Sequence, residues 1–423
     1  MTFKTVFSAE YQMSHWREPV YPILGDTRLE SDLVKGQTIA RSYASDVQVN
    51  DMGGDGSYSV QAITDTQETL VINKEKEASI YIKSLDELQA HLPLRKKYGR
   101  KLANALINQI DGDVLLAAYQ GAGTAIDDGS FTGGTSGNGH TPTSSNIATV
   151  FVTAMQKLRL NNVVYNNRFQ TAGGMKLEVP EGTPIAIISP EILSLIELYL
   201  GGKDTLLGDQ TSRNGYSGYF HGFNLFVANS LPWTAQLELP TIPTAGDTLV
   251  INGVTLTAAA DNSAATAGEY SIEAAVDDAA ANLVLLINGT GTPGADEYID
   301  VSTANRRLLK NITASYNTST NILTLTSSGR GTIVVSETFT AAGNVFTTAK
   351  QKLYCLFGLS KSVSVVVQKA PNLVDRDSPD AKIGRDFIAW CVYGIKVFTD
   401  QAPQLVSYAV NSASFTAASN TPK

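Results

Sequence analysis

Residues 93–121 read PLRKKYGRKLANALINQIDGDVLLAAYQG, and the fold turns on them. Tyr98, Leu102, Leu106, Ile110, Val114 and Ala118 fall at i, i+4 spacing, which places them on one face of an α-helix. Pro93 suits a first helical position, where its missing N–H has no partner to lose, and Gly121 with Gly123 supplies a stop. At about 1.5 Å per residue the helix is roughly 40 Å long, well beyond the usual run of about three turns. An element of that length predicts a brace for a whole domain. Gly99 and Gly112 each weaken it by up to about 1 kcal/mol relative to alanine.

Upstream of the helix, residues 36–70 are strand-like. Thr38, Ile39, Ser42 and Tyr43 lead into the alternating Val47 and Val49, and Tyr58, Val60 and Ile63 resume the alternation. Between them stands Asp51-Met52-Gly53-Gly54-Asp55-Gly56. Two strands flanking a glycine-rich tip predict a long hairpin. The tip lacks the Lys-Ser/Thr of a phosphate-binding loop and the distal Glu of an EF-hand, so no ligand is assigned to it. Its arms carry few residues to bury within one subunit, which points to a partner surface. Residues 70–82 then read as one strand, leading to Ser84 and Glu87 as a capping box for a short helix. Residues 1–35 show no sustained period; Tyr11, Trp16 and Tyr21 are read as tying down an extended arm.

Downstream, residues 121–145 form a Gly/Ser/Thr loop long enough to be functional or a domain crossing. Its nearest approach to a nucleophile elbow, around Ser136, has Asn138 where the last glycine belongs. A second helix is expected from Ser145 as cap to Asn161-Asn162, with Ile147, Val150, Phe151, Ala154, Met155 and Leu158 inward. Ile185 to Ile188 reads as a buried strand, and Ser189-Pro190-Glu191 supplies cap, first-turn proline and early acid for a third helix. Residues 218–232, GYFHGFNLFVANSLP, are a strand with a turn at each end. Alternating helices and strands of this kind describe one compact domain.

Residues 235–349 change character: they hold no Cys, Met, Trp or His. Ten acidic and four basic residues between 241 and 349 carry −6 of the chain's net −8. Asn252-Gly253 predicts a hairpin turn, residues 273–288 a helix, and residues 312–316, 322–326 and 333–335 strands, which is enough for an α+β domain. Asp296, Glu297 and Asp300 read as a solvated acidic face, since no ligand loop surrounds them. Beyond it, residues 353–368 alternate and residues 387–398, FIAWCVYGIKVF, form a buried strand. A terminal strand is expected at 405–410.

With 423 residues the chain is long enough for roughly two to four domains. Charged residues make up only 17% of it, against about 25% in an average protein, which suits packing against copies of itself. The net negative charge argues against nucleic-acid reading through a basic patch. His15, His91, His140 and His221 have no zinc-type spacing, and Cys355 and Cys391 sit in apolar runs as buried thiols. Asp375, Asp377 and Asp380 cluster in a turn with no nucleophile beside them, so they read as a charged exposed turn. No catalytic, cofactor-binding or metal-binding residue is expected, no cofactor, and no membrane-crossing segment.

Three motifs in this order resemble the major capsid protein of tailed bacteriophages, the Hong Kong 97-type coat fold that encapsulins share. They are IAIISP at 185–190, GFNLFVANSLP at 222–232, and Tyr393-Gly394-Ile395-Lys396-Val397 near the end. The resemblance implies an α+β chain divided into an N-terminal arm (1–35), an extended β-hairpin loop (36–75), a peripheral domain with the spine helix (76–135), and a first axial part (136–234). An inserted α+β domain (235–349), a second axial part (350–370) and peripheral C-terminal strands and tail (371–423) complete it. The spine residues would be Tyr98, Leu102, Leu106, Ile110 and Val114. The loop tip, Asp51, Met52, Gly53, Gly54, Asp55 and Gly56, and the arm residues Tyr11, Trp16 and Tyr21 would contact neighbouring subunits.

The same resemblance implies hexamers and pentamers closing into an icosahedral shell around packaged double-stranded DNA, held without sequence-specific binding. Implied partners are a portal protein, a separate scaffolding protein and a decoration or cement protein, in a virion assembled in the host bacterial cytoplasm. The short stretch before the hairpin leads us to expect no fused scaffold and no shortening by a maturation protease. Two other readings compete: an encapsulin-like compartment enclosing a cargo enzyme, and a surface adhesin whose 235–349 module binds glycan.

Overall fold

The computed structural model describes residues 19–32, 36–44, 47, 49–52, 57–63, 65–83, 94–164, 171–172, 175–176, 182–203, 218–328, 333–377 and 383–411. The long amphipathic stretch is one helix, α1, Leu94–Gln120. Leu102, Leu106, Ile110, Val114 and Ala118 are buried along one face, as the spacing predicts, and Tyr98 is half-buried. The Gly121 N–H closes the last turn on the Ala117 carbonyl at 2.8 Å. Pro93 and the capping box at Ser84 and Glu87 fall outside the described residues. The chain divides into two compact units, with residues 94–107 of α1 in the first and 108–120 in the second.

The first unit is built on a four-stranded sheet with the order Gly25–Asp26, Val363–Asp377, Gly384–Lys396, Lys74–Lys83. The two long central strands are antiparallel, with register shifts between Val367 and Lys369 and between Lys369 and Asn372. A separate two-stranded hairpin pairs Thr38–Ala44 with Asp65–Val71, in register from Thr38↔Val71 to Ala44↔Asp65. Two expectations are corrected here. The hairpin ladder ends at Ala44 and Asp65, whereas the alternation at Val47, Val49 and Tyr58 to Ile63 predicted longer arms. Those side chains are exposed, and a two-stranded ribbon with no buried face gains little from further pairing. The run 70–82 is two strands, because Ile72 is buried and its N–H turns back to the Gln37 carbonyl at 2.7 Å before Lys74 joins the other sheet.

The second unit holds a ten-stranded mixed sheet. Its main path runs Ile312–Asn317, Ile322–Ser327, Trp233–Glu238, Lys352–Leu359, Pro184–Ile188, Phe223–Val227, Tyr219–Phe220, and Leu405–Asn411 pairs with Lys352–Leu359. Every residue of Lys352–Leu359 is buried, which explains why that run is continuously apolar apart from Lys352. Helices α2 (Ile147–Leu160) and α3 (Pro190–Gly201) belong to this unit. The Phe151 ring of α2 meets Phe220 and Phe357 of the sheet edge-on at 4.9 and 5.0 Å. Ser189 caps α3 as its sequence predicts, its Oγ accepting the Ile192 N–H at 3.4 Å ahead of Pro190. Ser145 is not the cap of α2. Asn146 holds that position with no side-chain capping bond, because its amide oxygen accepts the Thr143 N–H while Ser145 Oγ bonds Thr143 Oγ1.

The glycine-rich stretch after α1 is held together by two carboxylates. Asp127 accepts from the Gly137 N–H and from the Ser130 and Ser136 hydroxyls, and Asp128 accepts the Thr135 N–H. Burial alone would raise the Asp127 carboxyl, but those hydrogen bonds outweigh it and hold it below the ordinary carboxylate range. The stretch ends on His140, which is buried, stacks on Phe131 at 4.1 Å and faces the Tyr408 hydroxyl through Nδ1 at 2.7 Å.

Burial pushes the imidazole below its ordinary 6.5, with Asp128 opposing the shift. Above that value both folded and unfolded chains are neutral at this group. As pH falls below 6.5 the unfolded chain takes up a proton that the folded one refuses, so stability drops until the folded pKa is passed. The expected slope is at most about 1.4 kcal/mol per pH unit. Urea denaturation at pH 7.5, 6 and 5 should show this loss in the wild type and a flatter profile in His140→Gln.

Residues 235–349 share the second unit's sheet. Ala235, Leu237 and Leu239 belong to the same buried cluster as Leu249, Ile251, Leu256, Tyr270, Leu283 and Leu325. The Asn252-Gly253 turn is present, with φ of 50° and 82°, and residues 248–251 and 254–259 flank it. The helix expected from 273 begins at Val276 (α4, Val276–Asn288), because the Glu273 carboxylate is taken by the Ser271 hydroxyl and the Asn282 amide. The strand expected at 333–335 is Val335–Glu337. Arg306, from α5 (Thr303–Leu309), donates to the Ile287 and Leu286 carbonyls and so closes the C-terminal end of α4.

Candidate assembly interface

The loop carried by the hairpin of the first unit exposes a run of apolar side chains. Val47, Val49, Met52, Tyr58, Val60 and Ile63 are all exposed, Val49 to 98%. Val47, Met52, Tyr58 and Ile63, with Asn50 and Asp51, line a shallow concavity of about 230 Å³. Six large apolar side chains within one short loop are far more than scattered surface exposure produces. Each is worth roughly 1.5–3 kcal/mol if fully covered. Of the tip residues named from the sequence, Asp51 and Met52 are exposed, while Gly53, Gly54, Asp55 and Gly56 lie outside the described residues.

The loop stands on a rigid base. Leu70 and Ile72 pack with Val366 and Phe398, and Leu29, Ile39 and Val392 close over them. The Tyr-Gly-x-Lys-Val motif explains itself here. A Cβ on Gly394 would sit 2.7 Å from the Val71 carbonyl and 3.1 Å from the Ile72 Cα, so only glycine lets this strand approach the hairpin. Two residues on, Lys396 Nζ donates to the Thr69 carbonyl at 3.0 Å. The Thr399 hydroxyl donates to Glu68, a bond that holds this carboxyl below its ordinary range, and the Arg41 guanidinium lies 5.3 Å from the Phe398 ring. Gly394→Ala is therefore expected to cost about 1–3 kcal/mol in urea denaturation, as an overpacked site does. Gly201→Ala, at the end of α3 with open space around it, should be neutral or gain up to about 1 kcal/mol.

A second fixed point lies in the other unit. Asp111, buried on α1, accepts the Val20 and Tyr21 N–H groups through Oδ1 at 2.7 and 2.8 Å, and the Ser230 hydroxyl through Oδ2. One carboxylate thus ties the start of the described chain and the Asn-Ser-Leu-Pro turn to the long helix. Tyr21, read from the sequence as an arm residue, is half-buried with its backbone bound to its own subunit; Tyr11 and Trp16 lie outside the described residues. Neither Asp111 nor Ser230 stands out in the sequence. The signal was the buried polar pattern itself: an acid facing inward on an apolar helix, and a serine in a turn between two strands.

The described residues contain no cluster of three or more His, Cys, Asp or Glu side chains placed to hold a metal, and no helix long and apolar enough to cross a membrane. Cys355 and Cys391 are buried thiols, and burial pushes Cys355 up to about 12. Asp375 and Asp377 pair with Arg385, and Arg376 approaches Asp386, so the acidic turn carries cross-strand ion pairs.

No protein-family model matches the chain, and no curated protein matches it in sequence. Solved structures do. A chain from Mycobacterium phage Che8 aligns over 96% of this chain and 97% of its own length, at 14% identity and a TM-score of 0.54. The capsid structure of the cyanophage P-SCSP1u aligns over 97% of this chain and 94% of that one, at 12% identity and a TM-score of 0.51. At such identities the likeness establishes the fold. It is an α+β phage-capsid fold, the class to which the three sequence motifs pointed.

Proposed function

We propose that this chain is the major capsid protein of a tailed bacteriophage, a structural protein whose copies associate as hexamers and pentamers into an icosahedral shell around double-stranded DNA. The observation that carries the reading is the fold: it follows a phage capsid chain along almost the whole length, including residues 235–349. The exposed loop fits this role. Its described apolar side chains are exposed, and covering them on a neighbour supplies a gross gain of about 10 kcal/mol per contact before ordering costs are deducted.

The N-terminal arm, the loop tip and the division into peripheral, axial and inserted parts belong to the same proposal, as do a portal, a separate scaffolding protein and a cement protein as partners. Net charge outside residues 241–349 is about −2, which suits enclosing DNA without gripping it. Sedimentation of the expressed chain tests the reading: capsomer-sized or shell-sized species are expected, and a chain that stays monomeric at all concentrations contradicts it. Particles recovered from infected cells should protect DNA from nuclease.

A further inference from the structure

Helices α2 and α3 of the second unit touch each other, and each keeps one sign of charge. The only charged residues of α2 are Lys157 and Arg159; those of α3 are Glu191 and Glu197. None of the four forms an ion pair among the described residues. Each helix also exposes a leucine, Leu160 to 71% and Leu198 to 65%. On α2, Val152, Met155, Gln156, Arg159 and Leu160 join His221 around a groove of about 530 Å³. The His221-Gly222 turn beside it has φ of 43° and 93°, and a Cβ on Gly222 would strike Met155 Cε at 2.8 Å. On α3, Glu191 and Leu198 are two turns apart and share a face.

We propose that the α2 groove of one subunit receives α3 of a second copy, with Leu198 entering beside Leu160 and Val152, and Glu191, on the same face as Leu198, facing Arg159 of the groove. This rests on the capsid reading and specifies a contact within its rings. Basic α2 against basic α2, or acidic α3 against acidic α3, sets like charges together, so the segregated charges favour α2 of one copy against α3 of another, and the capsid reading makes that contact head-to-tail. A head-to-tail contact uses two different surfaces on each copy and closes into a ring when the rotation permits.

Disulfide trapping in the full chain tests the contact. Leu160→Cys and Leu198→Cys are at exposed positions, and the two natural cysteines are buried. Oxidation of assembled L160C/L198C should give a ladder reaching five and six chains on a non-reducing gel, and neither single variant should. A double variant that assembles without a ladder, or whose ladder stops at two chains, overturns the proposal and leaves the capsid reading standing. Arg159→Glu should lose the oligomer while keeping its melting curve, and adding Glu191→Arg should restore it; assembly unchanged in R159E overturns the contact as well. A wild-type chain that forms no oligomer removes both readings.

Discussion

Replacing residues 45–64 with an Asn-Gly pair is expected to yield a subunit that folds normally and forms no shell. Ala44 and Asp65 lie directly opposite each other at the end of the hairpin ladder, so two residues between them make a type I′ turn without disturbing the register. The segment removed carries Val47, Val49, Met52, Tyr58, Val60 and Ile63, all exposed, and these side chains contribute little to the core of their own subunit. Stability in urea should change by less than about 1 kcal/mol, the range of surface changes away from packed features. Assembly should fall below detection by sedimentation, because a contact made once per subunit is repeated around the whole shell. Normal particles from this variant would show that the loop has no joining role.

The second large effect is expected inside the subunit. Asp111→Ala leaves the Val20 and Tyr21 N–H groups and the Ser230 hydroxyl without their acceptor, and the Val20 and Ser230 bonds are buried. Each buried group stranded in this way costs about 1–3 kcal/mol. The loss is expected to reach about 3–5 kcal/mol, a large part of the 5–15 kcal/mol that holds a typical domain together. Asp111→Asn keeps one acceptor oxygen and should lose less. Urea denaturation, with limited proteolysis around residue 20 as a local probe, checks both. A cost below about 1 kcal/mol for the alanine variant would mean that the carboxylate is not the clamp its geometry describes.

The elements legible in the sequence were those whose stability is local or periodic. The i, i+4 repeat fixed α1, Ser189-Pro190 marked the start of α3, and Asn252-Gly253 marked its hairpin. Three motifs of modest individual weight gained force from their order along the chain, and each has a physical reason in the structure. Ser230 of the second motif binds Asp111, and Gly394 and Lys396 of the third seat the hairpin. The hairpin arms were overread because alternation signals a half-buried strand, and the described side chains Val47, Val49, Tyr58, Val60 and Ile63 are exposed. The compactness of residues 127–140 was missed because it comes from side-chain carboxylates accepting backbone N–H groups, which leaves no period. Residues 235–349 looked separable by composition, and the buried cluster that includes Ala235, Leu249, Leu283 and Leu325 lies within them, while Trp233–Glu238 joins Ile322–Ser327 to Lys352–Leu359 in one ten-stranded sheet. Composition reports the surface, and the shared sheet lies beneath it.

The central claim is that this subunit completes itself on its neighbours. Electron microscopy of particles formed by the expressed chain, carried to a reconstruction that traces single subunits, tests it most directly. The account predicts closed icosahedral shells built of five- and six-membered rings, with residues 47–63 lying on an adjacent subunit and their apolar side chains covered. Monomers alone, or shells in which that loop stays bare to solvent, would contradict it.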